Sequence, residues 1–297
     1  MKYLSSSLFR WQLIGQALLM LLALILPPSL SNILFDGLAL ILLVLIGIPH
    51  GANDLFYRKD SSTVGIIRFL GAYIGVMGLY GLLWWFFPIV ALTLFLVISI
   101  HHFGQSNFEQ EQLWHIPSIL WGSLVIFAPI LIHWEEALEI FSGMVGSSIS
   151  SSIPEEGIYA AGILSTLLYG LVIWRKYPGN KFILLGMQWI MVLTWLAVSP
   201  LLSGFIIVFT LWHSGQSLHF QWRAIQSRLA QKPSGKNELW WTWGITSLAS
   251  FAFLGMIHWI WGLYLPLLFI LLSLITLPHV IVMHELYQPE EARHKPS

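Results

Sequence analysis

Ten stretches of this chain run almost uninterrupted in apolar residues for about the thickness of a bilayer: 10–28, 33–52, 64–86, 88–106, 114–133, 157–174, 181–199, 201–221, 239–259 and 262–283. A helix needs roughly 20 mostly apolar residues to cross the hydrocarbon core. Lipid offers no partner to backbone polar groups, so each crossing segment must bond its own N–H and C=O groups, as a helix does. The chain is 57% hydrophobic and 9% charged, where soluble domains carry roughly 25% charged residues. These features predict an all-α fold: a polytopic membrane helical bundle of about ten transmembrane helices, with a range of 8–10. No stretch reads as a separate soluble domain, so residues 1–297 are expected to form a single integral-membrane domain. The first run lacks a small-residue cleavage site and meets Pro27 and Pro28, so it reads as a retained helix rather than a signal peptide.

The cationic residues give the bundle a direction. With the N-terminus in the cytosol, Lys2, Arg10, Arg58, Lys59 and Arg68 fall on the inner side or at its helix boundaries. So do Arg175, Lys176, Lys181, Arg223, Arg228, Lys232, Lys236, Arg293 and Lys295. The outer segments carry acids such as Asp36, Glu135, Glu136 and Glu155. This asymmetry is the positive-inside pattern. It predicts an even number of crossings, both termini cytosolic and, in a bacterium, residence in the inner membrane. Net charge is zero, which gives no electrostatic reason to expect nucleic acid. Within the outer connection 134–156, the stretch from Trp134 to Phe141 reads as a short interfacial helix.

On this topology four histidines, His50, His102, His213 and His279, lie toward the cytosolic ends of four different runs. Arg58 follows His50 by eight residues, Glu109 follows His102 by seven and Arg223 follows His213 by ten. At 1.5 Å of rise per residue the imidazoles sit roughly 10–15 Å inside those charges. A single histidine in a membrane helix is more often a hydrogen-bonded helix contact than a ligand. Four at one depth favour a metal, because neutral imidazole is the commonest protein ligand. There is no cysteine, so thiolate ligands and cysteine nucleophiles are excluded. All-histidine ligation suits Fe, Zn or Cu.

Local sequence supports each position. Pro49 and Gly51 flank His50 in Gly47-Ile48-Pro49-His50-Gly51, and Asp54 stands one helical turn on, placed to accept from an imidazole. His101 and His102 point about 100° apart on a helix, so one of the two faces any site. Ser217 lies four residues after His213 and shares its face, whereas His219, six residues on, does not unless the helix is distorted. Pro278 precedes His279 as Pro49 precedes His50. The chain has no G-x-S-x-G nucleophile, no Gly-rich phosphate loop and no dinucleotide fingerprint. His115, His133, His258, His284 and His294 lie at helix ends or in the tail and rank lower as ligands.

With Pro-His-Gly-Ala-x-Asp at 49–54, Ser-x-x-His-Phe-Gly at 99–104, Trp-His-Ser at 212–214 and Leu-Pro-His at 277–279, the chain resembles the Brp/Blh family of membrane β-carotene 15,15′-dioxygenases. The resemblance implies an Fe(II) site with histidine ligands, O₂ as co-substrate and a carotenoid drawn from the bilayer. The implied reaction is cleavage of the central double bond of β-carotene into two retinals. His50, His102 and His213 match the motif histidines and are the implied catalytic residues. Two positions depart from the family pattern: Ser217 stands where a second histidine of the third motif is usual, and Asn107 where the second motif usually ends in Asp. The fourth ligand is therefore His279, on depth and on its Pro-His context, or alternatively His219. Asp54, Asn107 and Ser217 are the expected supporting residues around the metal.

Two other classes remain as alternatives. One is another membrane metalloenzyme acting on a lipid or carotenoid, a hydroxylase or desaturase, although the clustered histidine boxes of such enzymes are missing. The other is a non-enzymatic transporter or retinal-protein assembly factor, although a transporter should place its polar groups near the midplane. Trp84, Trp85, Trp121, Trp212, Trp240 and Trp243 are candidates to line a polyene tunnel. An interfacial aromatic belt is the preferred reading for most of them.

Overall fold

The computed structural model describes residues 6–52, 54, 62–109, 112–149, 155–229 and 264–287, with isolated helical positions between 241 and 260. Among the described residues the structure is helical throughout. In chain order the elements are α1 (Ser7–Ile25), α2 (Pro28–Leu42), a π-helical segment (Leu43–Gly47) and α3 (Ile48–Ala52). They continue with α4 (Thr63–Phe86), α5 (Pro88–Phe108), α6 (Ile116–Ile132), α7 (Trp134–Val145), α8 (Glu155–Lys176) and α9 (Asn180–Val198). The chain then forms α10 (Leu201–Val208), a second π-helical segment (Phe209–Ser214), α11 (Gly215–Leu229) and α12 (Leu265–Tyr287).

Seven described helices are long and apolar enough to cross a membrane, or eight if the bent α6–α7 pair forms one span. The protein is thus an integral-membrane helical protein, as the apolar runs require. The run expected at 239–259 lies largely outside the described residues. Residues 134–141 are helical as expected, within α7, which turns from α6 by 103°. His133 sits at that bend, and its Nε2 donates to the Leu196 carbonyl at 3.0 Å.

Local chemistry explains where the helices start and stop. Ser6 and Ser62 cap α1 and α4 by accepting from the amides of Phe9 and Gly65, at 3.2 and 3.0 Å. Pro28, Pro88 and Pro117 lie in first turns, where a missing N–H costs nothing. The sequence places a proline-closed break at 27–28. The second helix accordingly begins at Pro28, earlier than the run starting at residue 33 suggests.

The chain folds as two compact units. The first comprises residues 1–43, 100–138 and 150–216. In it α6 packs on α8 and α9, α2 on α10, and α1 on α9. The crossing of α5 and α6 is unusually close: a Cβ on Gly104 would lie 1.9 Å from the Ser118 carbonyl oxygen, and one on Gly122 would lie 1.8 Å from that of Ile100. Small residues at such crossings let backbones touch where lipid supplies no hydrophobic force between helices. The second unit comprises 44–99, 139–149 and 217–297, and is built on α4 packed against α12. Trp84 of α4 donates to Ser273 Oγ of α12 at 2.8 Å across that contact.

Candidate metal centre and the family of the chain

Each unit buries a pair of histidines. In the second unit His50 and His279 meet edge to face, with ring centroids 5.0 Å apart. In the first, His102 and His213 do the same at 4.4 Å. All four side chains are buried. Within the second unit, His50 and His279 present buried imidazoles of the kind that can ligate a metal ion.

His50 reaches its position through an unusual helix. The π-helical turn Leu43–Gly47 ends directly before Ile48-Pro49-His50. Its last carbonyl, that of Gly47, accepts from His50 Nδ1. Gly51 faces the His279 imidazole, where a Cβ would meet ring atoms at 3.7 Å. The His50 carbonyl accepts from Gln221 Nε2 at 3.0 Å, which ties α11 to the end of α3. Gln221 carries no motif or spacing signal in the sequence.

His279 follows Pro278 inside α12. Its Nδ1 lies 2.8 and 3.0 Å from the two Asp54 oxygens. Tyr73 of α4 donates to Asp54 Oδ2 at 3.1 Å. Asp54 therefore does meet an imidazole, but that of His279 and not that of its sequence neighbour His50. Tyr73 has no sequence signal, because it sits in an otherwise apolar run.

His213 lies in the second π-helical segment and stacks on Phe103, with centroids 4.3 Å apart and planes 13° from parallel. Its Nδ1 is 2.8 Å from Ser106 Oγ. That hydroxyl already donates to the Phe103 carbonyl at 3.0 Å, so toward the imidazole it accepts. Three rings, those of His50, His213 and His279, thus turn Nδ1–H to an oxygen acceptor. Such a bond fixes the tautomer with its lone pair on Nε2, which is how proteins orient a metal-ligating histidine. The ligand types suit a borderline metal: imidazoles, a carboxylate behind one of them, and no thiolate.

Other expected residues have different surroundings. Asn107 Oδ1 accepts from Gln188 and Gln216, at 2.8 and 2.9 Å, and so links α5, α9 and the start of α11 within the first unit. Ser217 is buried, and its Oγ accepts from Gln221 at 3.4 Å. His219 is half-buried in α11, five residues past the end of the π-helical segment. Among the tryptophans, Trp84, Trp121 and Trp212 are buried and Trp85 is 81% exposed, as an outward belt residue would be. Trp240 and Trp243 lie outside the described residues.

Apolar spanning helices and buried, acceptor-anchored histidines define a membrane protein equipped to hold a metal. Comparison with known proteins gives the family. Residues 41–287 match the family model described as beta-carotene 15,15′-dioxygenase, and the chain belongs to that family. It is 26% identical over 283 residues to the beta-carotene 15,15′-dioxygenase of Uncultured marine bacterium 66A03, covering 88% of this chain and 98% of that protein. No solved structure matches. The chain is accordingly a carotenoid dioxygenase family enzyme, and the family's reaction is the central cleavage of β-carotene.

Proposed function

We propose that this enzyme cleaves the 15,15′ double bond of β-carotene, or of a related carotenoid, with O₂ to give two retinals, at an Fe(II) held by His50, His102, His213 and His279. The observation that supports His50, His213 and His279 as ligands is the anchoring of each ring through Nδ1, to Gly47, Ser106 and Asp54 respectively. Bound iron would supply the centre that activates O₂. The protein's own residues supply the rest. Asp54 holds His279 in one tautomer and one orientation, and Tyr73 holds Asp54. Phe103 and Phe209 stack against His213 and keep its surroundings apolar. Imidazole ligands would leave a bound metal cationic. A membrane-embedded enzyme takes its carotenoid from the bilayer without passing it through water. The positive-inside pattern supports cytosolic termini and, in a bacterium, the inner membrane.

Expression in a β-carotene-accumulating bacterium tests the reading. Bleaching with accumulation of retinal is expected, and retained colour with no retinal, despite membrane expression and iron supply, would refute it. The four His→Ala variants should each retain colour. Two irons per purified chain would point instead to a hydroxylase or desaturase.

A further inference from the structure

Helix α1 precedes the stretch matched by the family model, which begins at residue 41. Most of its surface is apolar and exposed: Ile14, Leu18, Leu21 and Leu24 are each about half exposed or more. Its buried residues are Phe9, Gln12 and Gln16, at spacings of three and four, which form one narrow face. Two glutamines buried on a lipid-facing helix are costly unless their amides are bonded.

Both are bonded, and to the same place. Gln12 Nε2 donates to the Leu211 carbonyl. Gln16 Oε1 accepts from the Trp212 indole N–H, and its Nε2 donates to the Met191 carbonyl at 3.0 Å. Phe9 meets the Trp212 ring edge to face at 5.6 Å. Leu211 and Trp212 immediately precede His213 in the π-helical segment Phe209–Ser214. In an α-helix the Gly215 amide would bond to Leu211. Here it bonds to Thr210 instead, the wider π-helical pattern. That shift displaces the usual donor from the Leu211 carbonyl, and Gln12 donates there. Gly215 leaves room for this approach, since a Cβ on it would lie 3.1 Å from Gln12 Nε2.

We propose that α1 is a positioning helix for His213: Gln12 and Gln16 hold the π-helical turn that sets the depth and direction of this imidazole. An unbraced turn would relax toward α-helix, rotating His213 relative to Ser106 and Phe103. The inference rests on the reading of His213 as a ligand only for its effect on iron. Its structural half stands separately.

The test uses the full chain in detergent, with Gln12→Met and Gln16→Met, which keep side-chain length and remove the amide, and with His213→Ala as the reference. Two quantities are read: amide hydrogen exchange over 205–218 and over α8, and iron retained against a chelator. Both glutamine variants should exchange about tenfold faster in 205–218 with α8 unchanged. They should hold iron about tenfold more weakly, with retinal formed per bound iron close to that of the parent. Unchanged exchange in 205–218, or an equal rise in α8, would overturn the positioning role. If His213→Ala retains iron like the parent, the ligand reading fails, while the exchange pattern still decides the role of α1. Either glutamine variant suffices for the decision if the other does not fold.

Discussion

His279 and Asp54 are joined through Nδ1 at 2.8 and 3.0 Å, across 225 positions of sequence. The pair links α12 to the chain just beyond α3, and Tyr73 extends it to α4. The histidine is held by an acid that is itself held. Asp54→Asn is expected to weaken iron binding by about 10- to 100-fold, the usual effect of losing such a partner. Tyr73→Phe should do so less, and should add nothing in the Asp54→Asn background. Iron per chain and retinal yield, measured on the two single variants and the double variant, check this.

His279 and His219 make opposite predictions. His279→Ala should abolish retinal formation and release iron, because it removes the ring that Asp54 holds. His219→Ala should keep most of both, since this half-buried side chain lies on α11 past the π-helical turn. Iron analysis of the purified variants decides between them. Retention in His279→Ala with loss in His219→Ala would reverse the assignment.

The crossing of α5 and α6 should tolerate no side chain at its two glycines. A Cβ on Gly104 or Gly122 would fall within 2 Å of a backbone oxygen. Either Gly→Ala variant should cost about 3 kcal/mol or more, the upper range for overpacking, because backbone and not a flexible side chain must move. His102 rides on this part of α5, so activity should fall with stability. Thermal unfolding in detergent is the measurement, with Gly170→Ala as a control, where a Cβ would meet nothing within 4 Å.

Acid should weaken the first unit through His115. This residue lies just before α6, bonded to Ser118 Oγ at 2.7 Å and to the Tyr177 hydroxyl at 3.0 Å. Burial, with the Lys176 charge nearby, pushes its pKa down to about 4 from an ordinary 6.5. Below 6.5 the unfolded chain therefore binds a proton that the folded chain refuses. The stability His115 provides is complete above pH 6.5 and is lost as pH falls toward 4. His115→Gln should flatten the melting-temperature profile across that window. A profile identical to the parent's would show that the protonation of His115 does not contribute.

Much of this protein was legible in its sequence because lipid is an exacting solvent. Long apolar runs can only be satisfied as helices, so the helical class and most segment positions follow from hydropathy. The prolines at 28 and 88 mark helix starts directly. The four histidines stood out because a polar ring is rare and costly in such runs, and all four are buried.

Their partners were not legible. A 3.6-residue period says nothing about a π-helical turn, yet two such turns adjoin or contain the motif histidines. Sequence spacing set Asp54 beside His50, whereas the fold gave it to His279. Gln12, Gln16 and Tyr73 are isolated polar residues in apolar helices, and Gln221 is one of many polar residues on α11. The sequence by itself determined which segments are helical, because that depends on backbone hydrogen bonding within each segment. Only the tertiary structure decided which side chain anchors which imidazole, because those bonds join residues that are distant in the chain and meet only when the helices pack.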